Sequence, residues 1–488
     1  MASQAGAQAP TGGLGSALDR FFQIRERGST LGTEVRGGLT TFMVMSYIIF
    51  VNPVILSTLT QGRGPDFAAT VTMTALAAGV TTLAMGLYAN YPLALASGMG
   101  LNAVVAFELI LGRGLSWQAA MGVIFIEGVI ITILVLTGFR EAVMMAIPLN
   151  LKRAIGVGIG LFILFIGLVN AGFVRVPVET IPIVDGRAAG QPQPPVTLGH
   201  LVGWPILIAT FGLFFTLLLM AHRVRGALLL GILGTTALGM GLHYTLGADI
   251  SAVPGVQGGL PTEWILPSFA TFGAGLNFGV FGAVSLLTAL LIIFSVMLSD
   301  FFDTMGTVIG IGSEAGWLDA EGRLPRMNRV LLVDSLAAAF GGLASASSVT
   351  TYIESAAGVA EGARTGLASV VTGVLFLLAI VLAPLAALVP AEATAPALII
   401  VGFFMAGVIR DIDFSVSKLE EGLPALLTIT VMPFTFSITN GIGAGFVTYT
   451  FLKLVTGKGR EMHWMMYVVS AAFVLYFLLG FLHAQFGI

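Results

Sequence analysis

Apolar residues run through this chain in blocks of about 20, parted by short polar or basic turns, which is the spacing of helices that cross a bilayer. Between consecutive Asp, Glu, Lys and Arg residues, a first span falls in 37–62, and 67–107 holds two more with a turn near Asn90-Tyr91-Pro92. Residues 117–139 make a fourth, interrupted by Glu127, and 154–174 a fifth. A Pro-, Gly- and Gln-rich loop, 176–195, precedes spans at 200–220 and 226–244, and a second loop, 247–279, follows them. The second half begins at 284–311, where Asp300 and Asp303 sit inside an apolar block. Further spans fall at 330–343, 345–359, 367–389 and 396–409, and 423–453 is long enough for two, broken near Pro433 or Asn440-Gly441. The pattern predicts about fourteen spans. Residues 464–486 form an apolar tail that either crosses once more or lies along the bilayer.

Composition sharpens this reading. Only 10% of the 488 residues are charged, against about a quarter in soluble proteins. Hydrophobic residues make up 56% and glycine numbers 63, with a mean hydropathy of +0.97. The fold class is therefore an all-α polytopic membrane protein whose helices pack closely on small residues. A net charge of −3 gives no footprint for nucleic acid. With no Cys and five scattered His, disulfides, thiolate chemistry and zinc are excluded, and no metal or cofactor is expected. Residues 1–17 lack a signal peptide and read as the start of a cytoplasmic tail. Basic residues cluster in 20–36, 222–225, 323–329 and 453–460, and fourteen spans with the N-terminus inside place all of them on the cytoplasmic side.

An internal register pairs Phe42, Val44, Met45 and Phe50 with Phe294, Val296, Met297 and Phe302, and carries Asn102 onto Glu354. Seven spans per half is an odd number, so successive halves are inverted in the membrane, with a site expected at their interface.

A carboxylate at bilayer depth costs about 2.5–3.5 kcal/mol on insertion scales, which marks it as a functional candidate. Asp303 is followed by Thr304 and Thr307, and residues four apart share a helix face, so an acceptor and a hydroxyl can meet a polar solute. Asp300 reads as a helix brace, as do Glu127 and Asp334, and Glu108 as a residue near the interface. Residues 345–353 suit a short extended segment and Ser355 onward a helix start, which makes a broken helix with Glu354 at the break. A carboxylate there can accept two N–H bonds from a heterocycle, and Tyr352 offers a ring to stack on. The first-half counterpart, 94–103, is small and Gly-rich around Asn102, whose amide both donates and accepts, which fits either reading a purine edge or bonding a neighbouring helix.

Four segments then carry a family resemblance. Gly38-Leu39-Thr40-Thr41-Phe42-Met43-Val44-Met45-Ser46-Tyr47-Ile48-Ile49-Phe50-Val51-Asn52-Pro53, Gly98-Met99-Gly100-Leu101-Asn102-Ala103, Asp300-Phe301-Phe302-Asp303-Thr304-Met305-Gly306-Thr307 and Thr351-Tyr352-Ile353-Glu354-Ser355-Ala356-Ala357-Gly358 resemble, in order, the AzgA-like purine permeases of the nucleobase–cation symporter-2 (nucleobase–ascorbate transporter) family. The likeness extends over residues 21–453.

The resemblance implies two inverted seven-span repeats, with short strands and half-helices in spans 3 and 10. It divides the chain into a tail (1–35), a core domain (36–140 and 284–390), a gate domain (141–246 and 391–457), a loop (247–283) and the apolar C-terminal segment (458–488). Asp303 and Glu354 match the acidic positions that bind nucleobase, and Asn102 the polar position of span 3. Tyr352, Thr304 and Ser355 complete the expected substrate-binding set. Thr307 stands where the uracil branch has histidine, which leaves Asp303 as the proton-coupling residue. The implied activity is proton-coupled, elevator-type uptake of hypoxanthine or guanine, with adenine or xanthine as further substrates, by a plasma-membrane homodimer. A proton is favoured over sodium. The rival readings are an anion or other small-solute carrier on the same fold, which two site carboxylates oppose, and an intramembrane aspartyl protease, which lacks its GxGD-type setting.

Overall fold

The computed structural model describes residues 14–138, 147–175, 183–184, 187–188, 196–251, 266–317, 324–382, 386 and 388–486. The start of the tail, most of the 176–195 loop, part of the 247–283 loop, Arg323 and the core–gate boundary at 140/141 lie outside the described residues.

Helices stand where apolar blocks were read. They are α1 (Leu31–Met45), α2 (Phe67–Ala84), α3 (Met99–Ala103), α4 (Trp117–Leu136), α5 (Leu149–Asn170), α6 (Trp204–Ala221), α7 (Ala227–Leu246), α8 (Leu286–Glu314), α9 (Met327–Leu343), α10 (Ser355–Ala360), α11 (Gly366–Ala379), α12 (Ala391–Ala406), α13 (Leu419–Thr435), α14 (Ile438–Val455) and α15 (Trp464–Phe486). Side-chain caps set several starts: Asp66 accepts from Ala69 N for α2, Ser116 from Ala119 N for α4 and Ser437 from Asn440 N for α14. Three helices continue with wider π-helical turns. α1 runs on through Ile48–Pro53 into Val54–Thr58, α2 into Met85–Ala89 and α3 into Val104–Gly112. In α1 this follows Pro53, which supplies no amide hydrogen to the ladder. Among the described residues, eight helical runs, including Leu31–Thr58 and Leu286–Gly312, are long and apolar enough to cross a membrane, so the chain is a multi-pass membrane protein.

Two helices are broken at the centre. β1 (Leu95–Ser97) precedes α3 and β2 (Val349–Thr351) precedes α10, and they pair antiparallel in the register Leu95↔Thr351, Ala96↔Thr350, Ser97↔Val349. Such strands survive among apolar helices only if their backbone and flanks are bonded. Thr82 supplies one bracket, accepting from Leu95 N at 2.9 Å and donating to Leu95 O at 3.0 Å. Asn52 supplies another, its Nδ2 donating to Thr74 Oγ1 at 2.8 Å and Ala346 O at 3.2 Å, with Ser97 Oγ 3.3 Å away.

Packing falls into two sets. α1 lies against α10 and α11, α2 against α11, and α4 against α8 and α9. α5 lies against α12 and α13, α13 against α14, and α6 against α7 and α12. The sets touch where α5 meets α3 and α8, where α8 meets α14, and where α1 meets α7. Small residues allow the close crossings: a Cβ at Gly128 would run into the Ala339 backbone, and one at Gly402 into that of Gly160. The stretch after residue 266, read as loop, packs back onto the helices, with Ser268 N donating to Thr72 Oγ1 and Gly273 N to Leu343 O. The C-terminal α15 lies antiparallel along α14: Ser470 meets Thr450 at 2.7 Å and Tyr476 meets Asn440 at 3.1 Å.

Candidate substrate-binding site

The β1–β2 crossing brings side chains from distant segments to one place. Glu354 follows β2 at the start of α10 and is part-exposed. Its Oε1 accepts a hydrogen bond of 2.8 Å from the hydroxyl of Tyr47, on the segment joining α1 to its continuation. Tyr47 is wholly buried, and the same hydroxyl lies 3.5 Å from Met99 Sδ at the start of α3. Asp303, on α8, is also part-exposed, and its charge acts on Glu354, Tyr47 and Tyr352. Two carboxylates and two phenols therefore lie near one another, and two of the four, Tyr47 and Glu354, are joined as donor and acceptor.

Asn102 on α3 is wholly buried, and neither its Oδ1 nor its Nδ2 has a hydrogen-bond partner. Its helix packs against α8, which carries Asp303, and against α5 of the other set. Gly100 makes the second approach possible, since a Cβ there would meet the Ile159 side chain. An amide with both ends unbonded braces nothing; it carries a desolvation penalty of about 1–3 kcal/mol until something bonds it.

The other three expected contacts take different positions. Thr304 was expected to meet the solute, but its hydroxyl donates to Asp334 Oδ2 at 2.6 Å and shares a 2.7 Å bond with Thr350, so it ties α8 to α9 and β2. Ser355 accepts from Ala94 N at 2.9 Å and holds the chain entering β1. Tyr352 is buried, and its hydroxyl donates to Ser97 O, which fixes the ring across the strand pair and leaves only its face for stacking. Asp334 accepts from Thr351 N and Oγ1 as well as Thr304, a fully bonded brace. Glu108 accepts from Ser437 Oγ and Ile438 N, joining the end of the α3 run to the α13–α14 corner.

Tyr47 lies in the first of the four family segments. A single phenol among apolar residues in the first span was its only signal. Lys152 of α5 was not singled out; its ammonium stands 5.9 Å from the ring of Phe302, beside Asp303.

A family model described as "Permease family" (Xan_ur_permease) matches residues 32–442. The chain belongs to that family. Among curated relatives of this permease, the guanine/hypoxanthine permease PbuG of Bacillus subtilis (strain 168) is 41% identical over 469 residues, 94% of this chain and 99% of the relative. Adenine permease AdeP of Escherichia coli (strain K12) is 39% identical over 461 residues, 94% and 95% of the two chains. The resemblance seen in the four segments thus holds along nearly the whole permease. Among solved structures, the transmembrane domain of a cyanobacterium bicarbonate transporter, BicA, matches with a TM-score of 0.57 at 15% identity, over 85% of this chain and 97% of that one. At that identity the likeness concerns the fold alone, the inverted-repeat architecture.

Proposed function

We propose that this permease carries purine nucleobases inward with a proton, hypoxanthine and guanine before adenine or xanthine. The observations that support the proposal are part-exposed Glu354 and Asp303 near the strand crossing and a buried, unbonded Asn102 on α3, which packs on the helix of Asp303. A purine presents N–H donors and ring-nitrogen or carbonyl acceptors along one edge. Glu354 accepts from the donors, Asn102 answers with one donor and one acceptor, and the Tyr352 face stacks on the ring. The names of the relatives, guanine/hypoxanthine and adenine permeases, point the same way. Asp303 takes the proton, because a neutral acid crosses an apolar barrier at lower cost than a carboxylate.

Transport follows from sliding one packing set, α1–α4 with α8–α11, against the other, α5–α7 with α12–α14, so that the site faces each side in turn. The working form is a homodimer in the plasma membrane with its N-terminus in the cytoplasm. BicA is a bicarbonate transporter, but here Asp303 and Glu354 put negative charge where an anion would have to sit.

The test is radiolabelled hypoxanthine uptake into proteoliposomes with and without an inward proton gradient. Native protein should accumulate hypoxanthine only with the gradient, and Asp303→Asn should lose accumulation while keeping hypoxanthine exchange. Absence of uptake by folded native protein would overturn the purine assignment, and uptake indifferent to the gradient would overturn the proton.

A further inference from the structure

The two packing sets are tied together at the end of the helical run that carries Asn102. Glu108 lies in the Val104–Gly112 continuation of α3 and is 3% exposed. Its Oε1 accepts from the hydroxyl of Ser437, the N-cap of α14, at 2.8 Å, and its Oε2 accepts from Ile438 N at 2.9 Å. A carboxylate of one set is thus docked on the first turn of a helix of the other, where the helix end favours negative charge. Beside it Phe107 meets Phe436 edge to face, with ring centres 6.2 Å apart.

A base follows the acid. Arg113 stands 3.5 Å from Glu108 Oε1 and donates to the hydroxyl of Tyr476 on α15 at 2.6 Å, its guanidinium carbon 5.7 Å from the centre of that ring. The same hydroxyl donates to Asn440 Oδ1 of α14 at 3.1 Å. The C-terminal helix therefore completes the tie: α14 takes the acid, α15 takes the base, and Ser470 meets Thr450 between the two helices.

Apolar faces can shift past one another gradually, whereas hydrogen bonds of about 3 Å are directional and do not survive a displacement of several ångströms. Sliding of the sets must therefore part Glu108 from Ser437 and Ile438. A buried carboxylate that loses its donors is costly unless water replaces them, so release goes together with water reaching this face. Another crossing holds less firmly. Arg225, between α6 and α7, pairs with Glu361 after α10, but the Arg225 side chain is 63% exposed, and such a pair is weakened by water and salt.

We propose that Glu108 and Arg113 form a latch between the two packing sets, which keeps this face closed while docked on α14 and α15 and lets go each time the sets slide. The latch deepens the carrier reading above and rests on it.

The experiment is hypoxanthine exchange in proteoliposomes with equal hypoxanthine on both sides, for native protein, Glu108→Gln and Tyr476→Phe, with thermal midpoints measured alongside. Glu108→Gln keeps the shape but loses the charge and one acceptor, so exchange should be about threefold to tenfold faster and the midpoint lower. Tyr476→Phe, which frees Arg113, should move both readings the same way by less. Exchange that is unchanged or slower in Glu108→Gln, with a lowered midpoint, would overturn the latch and leave a static brace. Where Glu108→Gln does not fold, Tyr476→Phe is judged by the same rule. The chain has no cysteine, so Glu108→Cys combined with Ser437→Cys supplies a lock: mercuric ion should bridge the two thiols and stop exchange, and excess thiol should restore it. Bridged protein that exchanges as fast as the unbridged form, or thiols that do not bridge, would overturn the latch while leaving the purine reading intact. Native protein that exchanges no hypoxanthine would instead strike the purine reading itself.

Discussion

In the first half of the chain the broken segment runs from β1 through Gly98 into α3 and carries Asn102, an amide with no partner. In the second half it runs from β2 into α10 and carries Glu354, a carboxylate already held by Tyr47. The backbone plan is shared and the two strands pair with each other, but the chemistry presented is not symmetric. Leaving a neutral amide unbonded costs about 1–3 kcal/mol, which a stable fold absorbs. Leaving a desolvated carboxylate without a donor costs several kcal/mol. The anionic side therefore comes with its own donor, and the neutral side is left unbonded.

The sharpest way to break this comparison is to make both sides neutral. Glu354→Gln should weaken hypoxanthine binding by about 100-fold, the scale of two charge-assisted hydrogen bonds of about 1.5 kcal/mol each. Equilibrium binding in detergent reads this directly, and native-like affinity would remove Glu354 from the site. Next, Asn102→Ala should lower affinity by about tenfold while raising the thermal midpoint of the ligand-free protein, because an unbonded buried amide is a liability until occupied. A lowered midpoint with unchanged affinity would make Asn102 a structural residue. The smallest effect belongs to Tyr47→Phe, which keeps the ring and removes one donor. Affinity should fall by about threefold to tenfold and the midpoint should drop, both read in the same binding and melting assays. A variant indistinguishable from native would show that the Tyr47–Glu354 bond carries no weight.

Much of this was open to reading along the chain. The helix starts at Leu31, Trp117, Trp204 and Leu286 fall within a few residues of the expected spans, because a bilayer demands continuous apolar runs and tolerates little else. The break at 345–359 was visible as β-branched and hydroxylic residues followed by small helix formers, and the one at 94–103 as a small, Gly-rich stretch. Thr304 shows where such reading stops. On the sequence it looks like a ligand contact beside Asp303, and the fold turns its hydroxyl to Asp334 instead, a residue whose nearness to α8 no local pattern records. Tyr47 is the converse, a phenol with no local signal that is brought 307 positions along the chain to Glu354.

The sequence by itself determined the medium, the helices, their breaks and which carboxylates stand inside apolar blocks. Those follow from one-dimensional rules of apolar length, residue shape and the price of charge. Which polar groups face each other was decided by tertiary structure. The β1–β2 pairing joins segments from opposite halves of the chain, and around it one acid, Glu354, was given a phenol and another, Asp334, three donors. Hydrogen bonds reach about 3 Å and depend on direction, so partners distant in sequence are chosen only when the helices have packed.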